Sequence, residues 1–127
     1  MEKLPTIDIK GKKYVLVKDR VLAFNELYPN GCITTELLSA PDSDRIIFKA
    51  TAKTGNGDDC GVFTGHSQAT IGDGYINKTA ALENAETSAV GRALAMLGIG
   101  VIDSIASADE IKKNIKKTHL ETDEPPF

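Results

Sequence analysis

Hydrophobic and polar residues alternate through the middle of the chain in a pattern typical of β-strands. Three such segments follow one another at 32–39, 45–54 and 60–71, and the turn-forming sequences APDSD and GNGDD separate them. Short connections between consecutive strands favour antiparallel pairing, because a parallel pair needs a much longer crossover. The three segments therefore predict an antiparallel meander.

The second segment, RIIFKATAKT, places apolar and polar residues on opposite faces of the predicted sheet. Successive side chains of a strand point to opposite faces. One face carries Ile46, Phe48, Ala50 and Ala52, and the other carries Ile47, Lys49, Thr51 and Lys53. The pattern predicts one face packed on the core and a second face that carries two lysines.

Helical periodicity lies on both sides of the meander. Residues 12–17 read as a further strand, and KDRVLAFNELYPNG then repeats apolar residues at helical spacing before a Pro-Asn-Gly break. The longest helical segment covers about 78–97, has an alanine-rich apolar stripe and ends at Gly-Ile-Gly. The order of elements predicts an α+β fold in which the meander packs on this long helix.

The C-terminal part divides into a final helix and a tail. Ser107 and Glu110 have the spacing of a capping box, which predicts that the basic sequence EIKKNIKK is helical. Beyond it the chain is polar and ends in two prolines and a phenylalanine. We expect one domain over residues 1–118 and a disordered acidic tail over 119–127.

Length and composition fit one domain with a modest core. The chain has 127 residues, of which 41% are hydrophobic. It has no apolar run of the roughly 20 residues that cross a bilayer and no secretory signal at its start, so we expect a cytoplasmic protein that does not contact membranes. Its two cysteines, Cys32 and Cys60, have no matching histidine pair for zinc.

The net charge of −3 is concentrated in the tail. Glu121, Asp123 and Glu124 account for it, because 18 acidic residues less these three leave 15, which equals the 15 basic residues of the chain. A balanced body can still present a basic surface, and an acidic tail can shield it. Net charge therefore permits a nucleic-acid partner without indicating one.

The helical segment ALENAETSAVGRALAMLGIG resembles the motif of single-strand annealing proteins. That group includes the phage Erf and Sak types and the eukaryotic recombination mediator that shares their core. The matching positions are Ala81, Ala85, Thr87, Ala89, Arg92, Ala93, Leu94, Leu97 and Gly98. Members also place a β-meander directly before this helix. The resemblance covers about residues 12–105 and implies a single-strand annealing protein-like core.

The resemblance implies a ring or filament of identical subunits that holds single-stranded DNA in a basic groove between sheet and helix. Arg92 falls on a basic position of the family motif, while Gly91 stands where relatives often have a second basic residue. Lys49 and Lys53 lie on a strand where relatives carry cations that contact the DNA backbone. These three cations are the DNA-binding residues that the resemblance implies, for phage-type recombination, replication or repair.

The loop IGDGYINKT, before the long helix, is a further candidate for DNA binding. Backbone N–H groups at a helix start can face a phosphate, and Lys78 would add a charge there. Tyr75 could stack on a base. Asn77 is equally a candidate for the N-cap of the helix, a purely structural role.

The terminal sequence ETDEPPF resembles the C-terminal tip of bacterial and phage single-stranded DNA-binding proteins, although a proline stands before Pro-Phe here. In that family the tip docks onto replication and repair enzymes, with the phenylalanine ring in a pocket and the acids on surrounding basic residues. The positions that this resemblance assigns to partner binding are Asp123, Glu124, Pro125, Pro126 and Phe127.

Three alternatives remain open at this stage. An OB-fold barrel would keep the function and change the fold, but the long helix and the 6% aromatic content disfavour it. An adaptor would act through the tail alone. A metal-dependent nuclease would use His66, Asp58, Asp59 or Asp73, yet these acids lie in turn sequences where carboxylates are common. We expect a binding protein that is not an enzyme and holds neither a metal nor a cofactor.

Overall fold

The structure, a computed structural model, describes residues 4–72 and 77–112 of the chain. In chain order the elements are β1 (Ile7–Ile9), β2 (Lys12–Tyr14), α1 (Val17–Leu27), β3 (Cys32–Leu37), β4 (Arg45–Lys53), β5 (Val62–Thr70) and α2 (Lys78–Met96). The strands form a two-stranded and a three-stranded antiparallel sheet, and the second packs on α2. The predicted α+β class is confirmed.

The N-terminal hairpin of β1 and β2 was predicted only in part. The alternation predicted one strand over 12–17, whereas the observed strand β2 ends at Tyr14. β2 pairs with β1, and Tyr14 lies opposite Ile7. The connecting residues Lys10 and Gly11 have φ angles of 52° and 83°, as a two-residue hairpin turn with both central residues left-handed requires. Val15 is fully buried, and the chain enters α1 two residues later.

The meander has the predicted strand order, and the apolar side chains of β4 lie on the predicted face. β3, β4 and β5 are neighbours in that order, and both pairs are antiparallel. Ile46, Ala50 and Ala52 of β4 are buried under the helices, which confirms the apolar face of this strand. Ala50 and Ala52 share a core cluster with Phe24 of α1 and Ala89 of α2, whereas Ile46 packs with Ala81 and Ala85, so that α1 and α2 lie on the same side of the sheet.

The alanine stripe lets α2 lie close to the sheet. Ala81, Ala85, Ala89 and Ala93 are fully buried. A Cβ atom on Gly65 of β5 would lie 2.4 Å from the backbone N of Ala93, so the strand and the helix backbone are in direct contact. At the C-terminal end of α2, Met96 is 53% exposed, whereas Leu97 packs against the core.

The predicted helix stop and capping box are both confirmed. Gly98 has a φ of 96° and donates to the Ala95 carbonyl, while Ile99 N–H donates to the Leu94 carbonyl at 3.0 Å, which is the Schellman pattern. Glu110 N–H donates to Ser107 Oγ at 3.3 Å, and residues 108–112 are helical. The rest of the predicted basic helix, 113–117, lies outside the described residues.

No helix in the described ranges is both long and apolar enough to span a membrane.

Candidate nucleic-acid interface

The three-stranded sheet has one face on the helices and a second face that we call the open face. It comprises the side chains of β3, β4 and β5 that point away from α1 and α2. In the register, Lys49 lies between Glu36 and His66, and Lys53 lies between Cys32 and Val62. The four residues that flank the two lysines on β3 and β5 are all exposed, and no described helix packs on this face.

A line of three cations runs along the centre of the open face. Arg45, Lys49 and Lys53 stand four residues apart on β4, so they share this face and are spaced by about 13 Å at a rise of about 3.3 Å per residue. We call these three residues the basic row. Sequence analysis found Lys49 and Lys53 but missed Arg45, although the same alternation places it on their face.

The polar residues around the basic row add little opposing charge. Glu36, opposite Lys49, is the one acidic side chain that β3, β4 and β5 place on the open face. Threonines at 34, 51 and 64 form a neutral row between the two lysines. The open face therefore carries three cations and one anion, with His66 counted as neutral. Such a surface attracts phosphates by charge without reading sequence.

Arg92 is not part of the basic row. Its Cβ lies beside Gly65 on the helix side of the sheet, and its Nη2 donates to Glu110 Oε2 at 2.8 Å. The Arg92 side chain is 42% exposed, whereas that of Glu110 is 8% exposed. The structure thus brings Lys49 and Lys53 to one surface and leaves Arg92 on the opposite side of the sheet. A groove shared by all three within one chain is not formed.

Gly91 has a packing role that the motif comparison did not suggest. A Cβ atom there would lie 2.8 Å from Val17 Cγ2 of α1. The position is buried between the two helices, so a basic side chain would not fit. The departure from the motif at Gly91 therefore follows from how α1 packs on α2 in this chain.

Lys78 is the first residue of α2 and lies at the β3–β4 connection. Its Nζ donates to the Pro41 carbonyl at 3.2 Å on the surface. Asn77 is the N-cap, because its Oδ1 accepts from Ala80 N–H at 2.9 Å. Tyr75 lies outside the described residues. The connection beside Lys78 also carries Asp42 and Asp44, which makes this end of the helix less basic than the open face.

Arg20 is the charged residue that sequence analysis missed. It is fully buried, and its guanidinium donates to the carbonyls of Gly91, Gly100, Ile105 and Ala106 at 2.8–3.4 Å. Burial lowers the pKa of this guanidinium, while Glu110 and Asp109 act in the opposite direction. Arginine stays charged in proteins, so Arg20 is a buried cation held by carbonyl oxygens. Its role is to join α1, α2 and the segment after α2.

The remaining predicted positions have no place in a described site. The tail residues Asp123, Glu124, Pro125, Pro126 and Phe127 lie outside the described ranges, as does Asp73. Within the described residues no cluster of three histidine, cysteine or acidic side chains could hold a metal ion. Cys32 and Cys60 are free thiols.

The fold and the open face define an α+β domain in which helix, three-stranded meander and helix follow one another and the sheet exposes a row of cations. Residues 21–97 match a protein family described as Slr1353 N-terminal dsRNA-binding domain-like. The match spans more than half of the chain, and the chain belongs to this family. It includes most of α1, the whole meander and α2. No curated protein and no solved structure matches the chain.

Proposed function

We propose that this protein binds single-stranded DNA without sequence preference, through the basic row on the open face of its sheet. The family description supports a nucleic-acid partner in general. The observation that carries the proposal is the basic row itself, since three cations share a sheet face that no described helix covers. Each cation that neutralises a phosphate releases counterions and adds affinity at any sequence.

An open sheet face suits a single strand better than a duplex. Proteins that recognise double-stranded RNA contact successive minor grooves and the phosphates between them, which needs elements that reach into or across grooves. Among the described residues, the connection beside Lys78 is acidic, with Asp42 and Asp44, whereas Arg45, Lys49 and Lys53 lie on the open face. A single strand laid along β4 can reach the whole basic row.

The open face supports strand annealing over simple coating. Phe48 and Phe63 of the meander point to the helix side, and His66 is the one described ring on the open face. Binding by phosphate contacts with little stacking would leave the bases available to a complementary strand. The resemblance of the α2 motif implies strand annealing in phage-type recombination. We propose that an oligomer of identical subunits carries out this annealing.

Two further interactions belong to the proposed function. We propose that residues 123–127 recruit a replication or repair enzyme, as the similar tips of single-stranded DNA-binding proteins do. We also propose that Arg92 and Lys78 add phosphate contacts away from the basic row. Neither lies on the open face, so a strand bound to the basic row of one chain would not reach Arg92.

Double-stranded RNA is the second candidate ligand, because the family description names dsRNA-binding domains as what its members are like. The two ligands predict different surfaces. Single-stranded DNA would depend on the basic row, whereas binding of double-stranded RNA by another surface would be insensitive to its loss.

The test is a titration of matched single-stranded DNA, duplex DNA and duplex RNA at several salt concentrations, followed by fluorescence anisotropy. We expect the tightest binding to single-stranded DNA. Lys49→Gln and Lys53→Gln should each weaken it and reduce the slope of log K against log salt by about 0.7, the value for one phosphate of a single strand. Preference for duplex RNA would favour the second candidate.

Lys18→Gln is the matched control for this titration. Lys18 is an exposed cation of α1, on the helix side of the sheet, and its loss changes the net charge by the same amount. We expect it to leave the salt slope unchanged. Equal losses in all three variants would show that overall charge, not the basic row, governs binding, and the proposed site would then be wrong.

A further inference from the structure

β3 is an outer strand whose free edge is unprotected in the described part of the chain. Leu38 N–H donates to the Ile47 carbonyl at 2.8 Å, so the even-numbered residues of β3 direct their backbone groups to β4. The N–H and C=O groups of Ile33, Thr35 and Leu37 therefore point outward, since these groups alternate along an antiparallel strand. They form a row of donors and acceptors ready to pair with another strand.

This edge lacks the features by which proteins usually prevent such pairing. Outer strands are commonly blocked by lysine, proline, a bulge or a covering helix. The sequence of β3, CITTEL, has no lysine and no proline, and α2 lies mainly over β4 and β5. Leu37 and Leu38 at its end are 39% and 47% exposed. An edge with apolar side chains and free backbone groups is a surface for strand addition.

We propose that β3 pairs with β3 of a second copy of this chain, antiparallel, about a two-fold axis at Thr35. The sequence of the strand is complementary to itself in this register. Ile33 lies opposite Leu37 of the second copy, Cys32 lies opposite Leu38, and Glu36 lies opposite Thr34. The outward backbone groups of Ile33, Thr35 and Leu37 then pair with one another.

Neighbouring registers lose this complementarity. Moving the axis to Glu36 places two Glu36 carboxylates directly opposite each other, and like charges in that position are destabilising. Moving it to Thr34 places Leu37 opposite Gly31, which has no side chain to pack. Of these three registers, only the one about Thr35 places Leu37 opposite Ile33 and Leu38 opposite Cys32 while keeping the two Glu36 carboxylates apart.

The dimer would extend the nucleic-acid surface. The two-fold axis of such a strand pair is perpendicular to the sheet, so the open faces of both copies lie on the same side of a six-stranded sheet. Three strand spacings of about 4.8 Å then separate the two basic rows by about 14 Å. The inference goes beyond the proposed function and does not depend on it, because the dimer forms without nucleic acid.

The experiment is sedimentation equilibrium of the full chain without nucleic acid, comparing Thr35→Pro with Thr35→Ala. Proline removes the outward N–H at the axis and leaves the bonds between β3 and β4 intact. Alanine keeps that N–H and removes the γ-methyl group and the hydroxyl, which donates to Glu86 Oε2. We expect a mass of about 27 kDa, twice the 13.6 kDa of the chain, for the unmodified chain and Thr35→Ala, and 13.6 kDa for Thr35→Pro.

Leu37→Lys gives a second measurement should the proline variant fail to fold by circular dichroism. It replaces an apolar contact of the pairing with a charge at an exposed position, so we expect the dimer Kd to rise by about tenfold or more. A monomeric unmodified chain would overturn the proposal. So would a dimer or larger assembly whose mass neither Thr35→Pro nor Leu37→Lys lowers.

Discussion

Arg20 shows how one side chain can determine the packing of distant segments. Its guanidinium reaches one carbonyl within α2 and three in the segment from Gly100 to Ala106. The hydrogen bond to the Gly91 carbonyl is buried, and the other three are partly buried. Arg20 Nε has no partner among the described residues, so the arrangement satisfies the carbonyl oxygens more fully than the arginine.

Replacing Arg20 by alanine should therefore destabilise the fold strongly. The change opens a cavity at a fully buried position and removes the donor from one buried and three partly buried carbonyls, and we expect a loss on the order of 3 kcal/mol or more. Arg20→Lys should recover only part of it, because one ammonium cannot reach all four oxygens. Urea unfolding measures both variants. A loss below about 1 kcal/mol for alanine would contradict this role.

The sequence did contain a signal for Arg20. It lies four residues before Phe24, so on a helix the two share a face, and a charged residue on the apolar face of α1 indicates a buried partner. The partners themselves could not be predicted, because Gly91 and Gly100 are 71 and 80 residues away along the chain. Conversely, Arg92 matched a known motif, but its guanidinium donates to Glu110 on the helix side of the sheet.

At the scale of elements, local periodicity gave most of the fold. Alternation predicted the meander and the faces of β4, and the alanine stripe predicted α2 and its end at Gly98. β1 was missed because a three-residue strand is too short to show alternation. The close approach of α1 to α2 was also missed, since a glycine within a helix does not by itself reveal what lies against it.

Gly91 and Val17 offer a test of the close packing of α1 against α2. Gly91→Ala should destabilise the domain by about 1–3 kcal/mol through the clash with Val17 Cγ2, partly offset by the better helix propensity of alanine, about 1 kcal/mol. Val17→Ala removes the clashing methyl groups. The double variant should therefore be more stable than the sum of the two single changes, by about 1 kcal/mol. Additive losses in urea unfolding would mean that the helices adjust at no cost.

Gly65→Ala is the contrasting variant. Its Cβ would meet the backbone of α2 at Ala89 and Ala93, so no side-chain truncation can relieve the clash. We expect a larger loss than for Gly91→Ala, and none of it should be recovered in the Val17→Ala background.

At the scale of the whole molecule, the segment before residues 21–97 is in contact with the segment that follows them. Lys13 N–H donates to Asp103 Oδ2 at 2.8 Å, and Val17 N–H donates to Asp109 Oδ2 at 2.7 Å. The second contact caps α1, whose own N-cap residue, Leu16, supplies no side-chain acceptor. Ala108 N–H also donates to the Val15 carbonyl. Hydrogen bonds thus join the segment before the family match to the segment after it.

The candidate site could be predicted only in part from the sequence, because part of it depends on contacts between distant segments. Strand alternation fixes which residues of β4 share a face, so Lys49 and Lys53 could be placed together from sequence. Whether Arg92 joins them depends on which side of the sheet α2 packs and on Glu110 from the closing segment. Neither is encoded in a local pattern, since both follow from tertiary contacts.

A truncated chain tests the contribution of the closing segments. Residues 21–97, the part that matches the family, lack Arg20, the buried Val15 and Val17, and Ile99 from the core cluster. Such a fragment would expose the surface that these side chains cover and leave α1 without its cap. We expect no cooperative unfolding transition for 21–97, whereas a fragment of residues 4–112, which keeps every contact described above, should unfold at nearly the urea concentration of the full chain. Circular dichroism in urea measures both fragments. A sharp transition for 21–97 would show that the helix–meander–helix unit is stable alone, and Arg20 would then join the closing segments to a finished domain instead of completing its core.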